Sequence, residues 1–260
     1  MRTEKVTFKS LGYDLVGILE YPKEYEPGVP TPGIILYHGL TNSKYDCPLI
    51  NEVNEALVRE GFITFRFDFY GSGESPGEMK DKTWSILEQN GFDAIRFFSE
   101  NKDINKIGLW GRSTGGTIAI LNSTHPLIKV YALASAWVLI SSSIAKFKKA
   151  MELERELEKE GKVLPGTGKY KGEYSFNERF FEEAPIFEQK VLSNLAKMSH
   201  VLVLGTTPDR KVSLDNATTI INLAKEPKEI HIFEGVDHDY KGVEREAVNL
   251  VVKWFKKYLR

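Results

Sequence analysis

The stretch Gly111-Arg112-Ser113-Thr114-Gly115-Gly116 decides the fold, because it joins a short apolar strand to a helix-like run. The strand is Lys106–Trp110, and the helix-like run is Thr117–Leu121. A serine between glycines at such a junction matches the G-x-S-x-G pattern, in which a strained turn lifts the hydroxyl above the sheet. Glycine is needed at both ends of the pattern since a side chain there would keep strand and helix apart. The pattern predicts Ser113 as a nucleophile, against the plainer interpretation of a glycine-rich turn.

On both sides of this turn, apolar segments of strand length alternate with helical patterns. An antiparallel hairpin is predicted first, from Lys5–Phe8 and Asp14–Tyr21. The later predicted strands are Gly33–Tyr37, Phe62–Phe67, Ile128–Ala136, His200–Leu204 and Ile230–Phe233. The predicted helices are Asn51–Glu60, Thr83–Ser99, Thr114–Ser123, Ser213–Ala224 and Val243–Leu259. Such alternation indicates βαβ units, and therefore an α/β fold with a mostly parallel central sheet flanked by helices.

The alternation stops between residues 138 and 195. We expect an insertion there that forms a lid, over a core made of residues 1–137 and 196–260. Ser143–Gly161 predicts a charged helix with a solvated face, and its sparse apolar side chains are Ile144, Phe147, Met151 and Leu157. Leu164–Tyr174 predicts a loop, and Ser175–Glu183 a short helix capped by Ser175. The lid is rich in aromatic residues, which are Tyr170, Tyr174, Phe176, Phe180 and Phe181. They could contact an aryl substrate, but for most of them we favour packing of the lid on the core.

Composition excludes several classes of function. The chain has 260 residues and a net charge of -1, which argues against binding to nucleic acid or to an anionic membrane surface. Cys47 is the one cysteine, so no internal disulfide can form. The first residues lack the apolar core of a signal peptide, and no apolar run is long enough to span a bilayer. We expect a soluble cytoplasmic protein with a small-molecule partner, and leave a homodimer open.

A serine nucleophile needs a base, and context distinguishes His238 among the five histidines. His238 lies in a loop, Gly235–Asp239, that follows one predicted strand and precedes the last helix. Loops at the carboxyl ends of parallel strands are where open α/β sheets place their sites. Structural roles are expected for the other histidines, which lie within or beside regular elements: His125, His200 and His231. His38 is expected to shape its loop.

The base in turn needs a carboxylate that fixes its tautomer. Asp209 follows the strand His200–Leu204 and meets this condition. Asp215 is the rival, but an acid in the first turn of a helix is already explained by the helix dipole. Asp237 and Asp239 flank the histidine and cannot easily fold back onto its ring. The predicted triad is therefore Ser113, Asp209 and His238.

An oxyanion hole requires two preorganised N–H donors. One is expected from the main chain of Thr114, directly after the nucleophile, and the other from Leu40, in the loop after Gly33–Tyr37. Asp68 is interpreted as a structural acid that holds the glycine-rich loop after Phe62–Phe67.

With these residues in place, the chain resembles the α/β-hydrolase superfamily over nearly its full length. Within it, the chain is similar to small intracellular serine carboxylesterases, which include bacterial cinnamoyl (feruloyl) esterases. The segments that carry the resemblance are His38–Thr41, Phe65–Ser75, Gly111–Gly116, Asp209–Ser213 and Glu234–His238. Arg112 and Thr114 stand where that group usually has His and Gln, and Leu204-Gly205 where it has His-Gly.

The expected activity is hydrolysis of carboxylic esters of small to medium acyl or aryl acids, through an acyl-enzyme on Ser113. No metal or organic cofactor is expected, since the triad supplies the chemistry. An acyltransferase, a thioesterase and a small-peptide hydrolase would use the same groups and stay open. A binding protein that keeps the fold without turnover is the alternative from another class.

Overall fold

Eight strands form one twisted sheet in the part of the chain that the structure describes. The computed structural model describes residues 2–101, 103–146, 149, 156 and 178–260. The strands are β1 (Arg2–Ser10), β2 (Tyr13–Tyr21), β3 (Thr31–Tyr37), β4 (Ile63–Phe67), β5 (Ile104–Arg112), β6 (Ile128–Ala134), β7 (Val201–Thr207) and β8 (Lys228–Glu234). Their spatial order is β1-β2-β4-β3-β5-β6-β7-β8. The hairpin of β1 and β2 joins β4 antiparallel, whereas β4, β3 and β5 to β8 run parallel.

Helices cover both faces of this sheet. They are α1 (Pro48–Arg59), α2 (Trp84–Ser99), α3 (Thr114–Leu121), α4 (described over 140–146), α5 (Glu178–Glu182), α6 (Ala184–Leu195), α7 (Leu214–Leu223) and α8 (Glu244–Leu259). A 3₁₀ helix, Met79–Asp81, precedes α2. Side chains of α1 and α8 pack in one apolar cluster, and those of α2, α3, α6 and α7 pack in the other.

The central strands are buried on both faces because successive side chains point to opposite sides. On β3, Ile34 lies in the cluster with α1 and α8, whereas Ile35 lies in the cluster with α2 and α3. This explains the continuous apolar run that the sequence shows there. The parallel strands place their carboxyl ends, and the loops that follow, at one edge of the sheet.

The α/β prediction, with a mostly parallel sheet, is confirmed, and each predicted strand and helix of the α/β alternation is present with shifted ends. Helix α6 was not separately predicted. It packs on α3, where Asn194 Nδ2 donates to the carbonyls of Ile120 and Leu121 at 3.2 Å each. A parallel crossover is usually made by a helix, and α6 lies in the connection from β6 to β7.

The lid prediction falls mostly outside the described residues. This holds for Phe147, Met151, Leu157, the loop Leu164–Tyr174, Ser175 and Phe176. Phe180 of α5 is buried and stacks on Trp84 at 5.1 Å between ring centroids, as expected for docking on the core. The division at residues 138 and 195 stays a prediction. Across the described ranges, no helix is long and apolar enough to cross a membrane.

Candidate active site

Ser113 occupies a strained turn between β5 and α3. Its φ of 55° and ψ of −127° lie in a region that residues with side chains rarely adopt. Its N–H donates to Ala134 O at 2.8 Å, which fixes the turn against β6. A side chain on Gly111 would collide with the Gly115 carbonyl, and one on Gly115 with the Tyr37 carbonyl. The glycines of the motif therefore permit the close approach that the turn requires.

His238 and Asp209 are brought together from two neighbouring strand ends. His238 Nδ1 lies 2.7 Å from Asp209 Oδ2, and both side chains are buried. Their loops are joined by the main chain, where the N–H groups of Gly235 and Val236 donate to Thr207 O at 2.6 Å and 3.2 Å. Because a carboxylate only accepts, Nδ1 carries the proton, and Nε2 of the neutral ring is left as a proton acceptor.

Asp209 is itself held by several donors. Its Oδ1 accepts from the N–H groups of Lys211 and Val212 at 2.8 Å and 2.9 Å, and Thr206 Oγ1 donates to Oδ2 at 3.2 Å. Burial acts to raise the pKa of this carboxyl, but His238 and the two N–H groups outweigh it and lower the pKa. Asp209 is therefore ionised wherever the fold is stable near neutral pH.

Burial lowers the pKa of His238 below its ordinary value. Asp209 acts to raise that pKa, whereas the positive charges of Arg112 and Lys211 act to lower it. The net result is a ring that is neutral at pH 7, which is the state a general base requires.

Ser113 and His238 line one pocket with about 340 Å³ of empty space, including the part open to solvent. The other lining residues are Gly39, Leu40, Thr41, Asn42, Arg112, Trp137, Lys211 and Asp239. Both Ser113 and His238 are described residues, and no direct hydrogen bond joins their side chains. Such contacts often tighten only when substrate binds.

The loop after β3 lies against the nucleophile. A Cβ on Gly39 would be 3.5 Å from Ser113 Cβ, which places Leu40 beside the serine. In the part of the chain that the structure describes, neither the Leu40 nor the Thr114 N–H is used in a main-chain hydrogen bond outside helices and strands. Leu40 and Thr114 both line a second, smaller pocket, which shares Gly39 and Leu40 with the first.

His38 fixes the orientation of the Gly39–Leu40 peptide. Its Nε2 accepts from the Phe69 N–H at 3.2 Å, so Nδ1 carries the proton and donates to Gly39 O at 2.7 Å. Burial, helped by the charge of Lys82, lowers the pKa of His38 to about 4. The carbonyl is thereby held toward the imidazole, and the N–H of Leu40 points the opposite way, since a trans peptide places the two groups on opposite sides. This agrees with the expectation that His38 shapes its loop.

Two cations next to the site make contacts that the sequence did not predict. Arg112 Nη2 donates to His238 O at 2.8 Å and pairs with Asp239 Oδ1 at 2.5 Å. Lys82 Nζ donates to Leu40 O at 2.9 Å and to Ser72 Oγ at 2.6 Å. In the sequence, the position of Arg112 beside the nucleophile is the one indication that it belongs to the site. Lys82 lies in a polar stretch where no pattern indicates a role in the site.

Asp68 has the structural role expected of it. Its carboxylate accepts from the Lys44 N–H at 2.7 Å, the Lys44 ammonium at 2.5 Å and the Glu74 N–H at 2.8 Å. These contacts tie the loops after β3 and β4 together. Among the described residues, no group of three or more His, Cys, Asp or Glu side chains could hold a metal ion.

This sheet, with a strained serine turn at the centre and an acid and a histidine on the following strand ends, defines the α/β-hydrolase fold. A model of the family described as serine aminopeptidase, S33, matches residues 29–179, which is more than half of the chain. The chain belongs to that family of hydrolases. The resemblance inferred from the sequence is thereby confirmed.

Curated relatives and solved structures extend this comparison. An uncharacterised 31.7 kDa protein in the traX-finO intergenic region of Escherichia coli is 26% identical over 212 residues, which are 78% of this chain and 68% of the relative. Est1E from Butyrivibrio proteoclasticus, with ferulic acid bound, is similar with a TM-score of 0.79 and 19% identity, covering 97% of this chain and 98% of the other. The Pyrococcus furiosus esterase Pf2001 has a TM-score of 0.72 and 18% identity, covering 100% and 91%.

Proposed function

We propose that the protein is a serine esterase that cleaves carboxylic esters of small to medium acyl or aryl acids. The observation that carries this proposal is the pocket lined by both Ser113, on its strained turn, and His238, whose Nδ1 lies 2.7 Å from Asp209 Oδ2. The esterases among the structural neighbours, one of them with ferulic acid bound, support the choice of substrate class.

The reaction proceeds in two steps. Ser113 Oγ attacks the ester carbonyl carbon while His238 Nε2 takes the hydroxyl proton, which forms a tetrahedral oxyanion. The Leu40 and Thr114 N–H groups hold that oxyanion, and Asp209 stabilises the imidazolium. His238 then gives the proton to the departing alcohol, and the acyl-enzyme remains. Water, deprotonated by His238, then attacks the acyl carbon. The bond from that carbon to Ser113 Oγ breaks, His238 returns the proton to Oγ, and the carboxylic acid is released.

Peptide hydrolysis is the second candidate, because the family that the chain belongs to is described as serine aminopeptidase. An aminopeptidase binds the protonated amino group of its substrate, which calls for a free carboxylate. Among the described residues that line the pocket, the acid is Asp239, and Arg112 neutralises it. Because Asp239 is already paired, the described part of the pocket wall offers no free carboxylate for a substrate ammonium, which favours an ester over an aminopeptidase substrate.

The predicted lid over residues 138–195 would set the size of the acyl group. The test is hydrolysis of p-nitrophenyl esters from acetate to palmitate, with methyl ferulate and an aminoacyl p-nitroanilide alongside. Wild type is compared with Ser113→Ala and with Ser123→Ala, a control just beyond the far end of α3, the helix that follows the nucleophile. A fluorophosphonate probe reports whether Ser113 is reactive independently of the substrate chosen.

Ester turnover and labelling that are lost only in Ser113→Ala support the proposal. Labelling of Ser113 without turnover of any ester would overturn the substrate class, and turnover of the anilide alone would favour the peptidase. Absence of both labelling and turnover in the wild type would favour a non-catalytic binding protein.

A further inference from the structure

We infer that Lys82 is a positioning residue for this reaction, whose ammonium holds the Leu40 main chain in place for the oxyanion. The inference rests on the proposed function, because it assigns a role in the hydrolysis at Ser113.

The ammonium of Lys82 contacts the segment His38–Thr41 that follows β3, here called the oxyanion loop because it carries Leu40. Lys82 follows the 3₁₀ helix and precedes α2, and none of its surface is exposed to solvent (0%). Its Nζ donates to Leu40 O at 2.9 Å and to Ser72 Oγ at 2.6 Å. Lys82 also lines the small pocket bordered by Leu40 and Thr114, which supply both proposed N–H donors. Two side chains therefore hold this loop by its main chain: His38 donates to the Gly39 carbonyl, and Lys82 donates to the Leu40 carbonyl.

Lys82 is not explained as a counter-ion of the neighbouring acid. Asp68 is already paired with Lys44 Nζ, which also bonds Glu74 Oε1 at 2.8 Å. Among the described contacts, Lys82 makes hydrogen bonds to neutral oxygens only. An ammonium buried in this way costs stability, because it loses its hydration without a paired anion. A side chain that costs stability and touches the oxyanion loop is expected where activity requires it.

The charge of Lys82 depends on pH near neutrality. Burial lowers the pKa of Lys82 to about 7, although Asp68 acts to raise it. The groups that face it are the neutral His38 from the end of β3 and the Asp68, Lys44 and Glu74 cluster, with Asp81 next to it in the chain. The ammonium is therefore present below about pH 7 and is lost above it.

The test compares Lys82→Met with wild type on the ester that the wild type cleaves best. We expect kcat to fall by about 10-fold to 100-fold, below the loss from removing a whole oxyanion donor, while KM changes by less than about threefold. The rate of fluorophosphonate labelling falls by a similar factor, because the phosphonyl oxygen enters the same hole. Lys228→Met is the matched control, since Lys228 Nζ also donates to a main-chain carbonyl, Ala224 O at 2.7 Å, away from the site.

Thermal unfolding separates positioning from a purely structural role. Removing the buried ammonium also removes its desolvation cost, so Lys82→Met should unfold at pH 7 at the same temperature as wild type or a higher one. If Lys82→Met does not fold, Lys82→Gln is used, because its amide can still donate to Leu40 O without titrating. We expect Lys82→Gln to recover part of the rate and, like Lys82→Met, to lose the decline of kcat above about pH 7.

The inference would be overturned if Lys82→Met had the same kcat, labelling rate and pH profile as wild type. It would also be overturned if the variant unfolded at a lower temperature with an unchanged kcat. Either result would leave the proposed function standing. A wild-type protein that neither labels nor hydrolyses any ester would overturn the proposed function and this inference with it.

Discussion

Arg112 Nη2 donates a hydrogen bond of 2.8 Å to the main-chain oxygen of His238, a residue 126 positions further along the chain. The same nitrogen pairs with Asp239, and Nη1 lies 3.2 Å from Cys47 Sγ. The residue that precedes Ser113 thus holds the loop that carries His238. The position of His238 relative to Ser113 is therefore fixed by two contacts: Arg112 binds the His238 main-chain oxygen, and Asp209 binds its ring.

The charges of Arg112 and Asp239 should shift the pH profile in opposite directions. Arg112→Met removes a cation that lowers the pKa of His238, so the acidic limb of kcat/KM should move to higher pH. Asp239→Asn leaves that cation unpaired, and the limb should move to lower pH. The measurement is kcat/KM between pH 4 and 9 for both variants.

Arg96→Met is the control for these variants, because Arg96 is an exposed residue of α2 whose pairing is with Asp93 and not with a residue of the site. Its profile should coincide with that of the wild type. Shifts in the same direction for Arg112→Met and Asp239→Asn would contradict the assignment of His238 as the titrating base.

Asp209→Asn should lower kcat by about 10³-fold to 10⁴-fold, because an amide can donate to Nδ1 and stabilise the wrong tautomer of His238. Asp215→Asn is the matched control, since Asp215 lies in the first turn of α7 and its charge is explained by the helix dipole. We expect that control to keep its activity within about twofold. A larger loss in Asp215→Asn than in Asp209→Asn would exchange the two assignments.

His38 should make the protein less stable in acid. Its pKa in the folded state is about 4, below the value of an unfolded histidine, so its contribution is present above about pH 6.5 and is lost toward pH 4. The expected loss over that range is about 3 kcal/mol. Urea unfolding of wild type and His38→Gln at pH 7 and pH 4 measures it.

The difference between the two proteins is the informative quantity, since other groups titrate in both. The free energy of unfolding should fall less steeply with acid in His38→Gln. Equal slopes would mean that burial and the charge of Lys82 do not hold His38 neutral in the folded state.

Gly108 on β5 tests the packing of the sheet without touching the site. A Cβ there would lie 2.5 Å from Phe255 Cε1 and 3.0 Å from Leu259 Cδ2. Gly108→Ala should therefore cost about 1–3 kcal/mol in the free energy of unfolding. In the double variant with Phe255→Leu, the two losses should sum to more than the measured loss, because the smaller side chain relieves the overlap. Additive losses would show that the helix moves instead.

The sequence predicted the sheet, its flanking helices and the residues that meet at its carboxyl edge, because these depend on periodicity and on local turn chemistry. Ser113 is marked by glycines, and Asp209 and His238 follow predicted strands directly. The separate helix α6 was missed, since its apolar residues stand within a segment interpreted as an insertion. Its role becomes visible only when Val191 and Leu195 are seen buried against the core.

The charged neighbours of the site could not be predicted, because identical residues differ only in their tertiary surroundings. Lys80 and Lys82 are two positions apart in one polar stretch. Lys80 is exposed and pairs with Glu78, whereas Lys82 is buried against Leu40. Nothing in the local pattern separates them, since the difference comes from the loop after β3 folding over one lysine and leaving the other in solvent.

The tryptophans give the molecule an internal optical probe. Trp137 forms part of the pocket wall, and its ring centre is 6.4 Å from that of Trp84, on which Phe180 of α5 stacks. Emission from this pair therefore senses the pocket on one side and the position of α5 on the other. Stopped-flow fluorescence can follow acylation in unlabelled protein, and replacing Trp110 and Trp254 by Phe would confine the signal to these two rings.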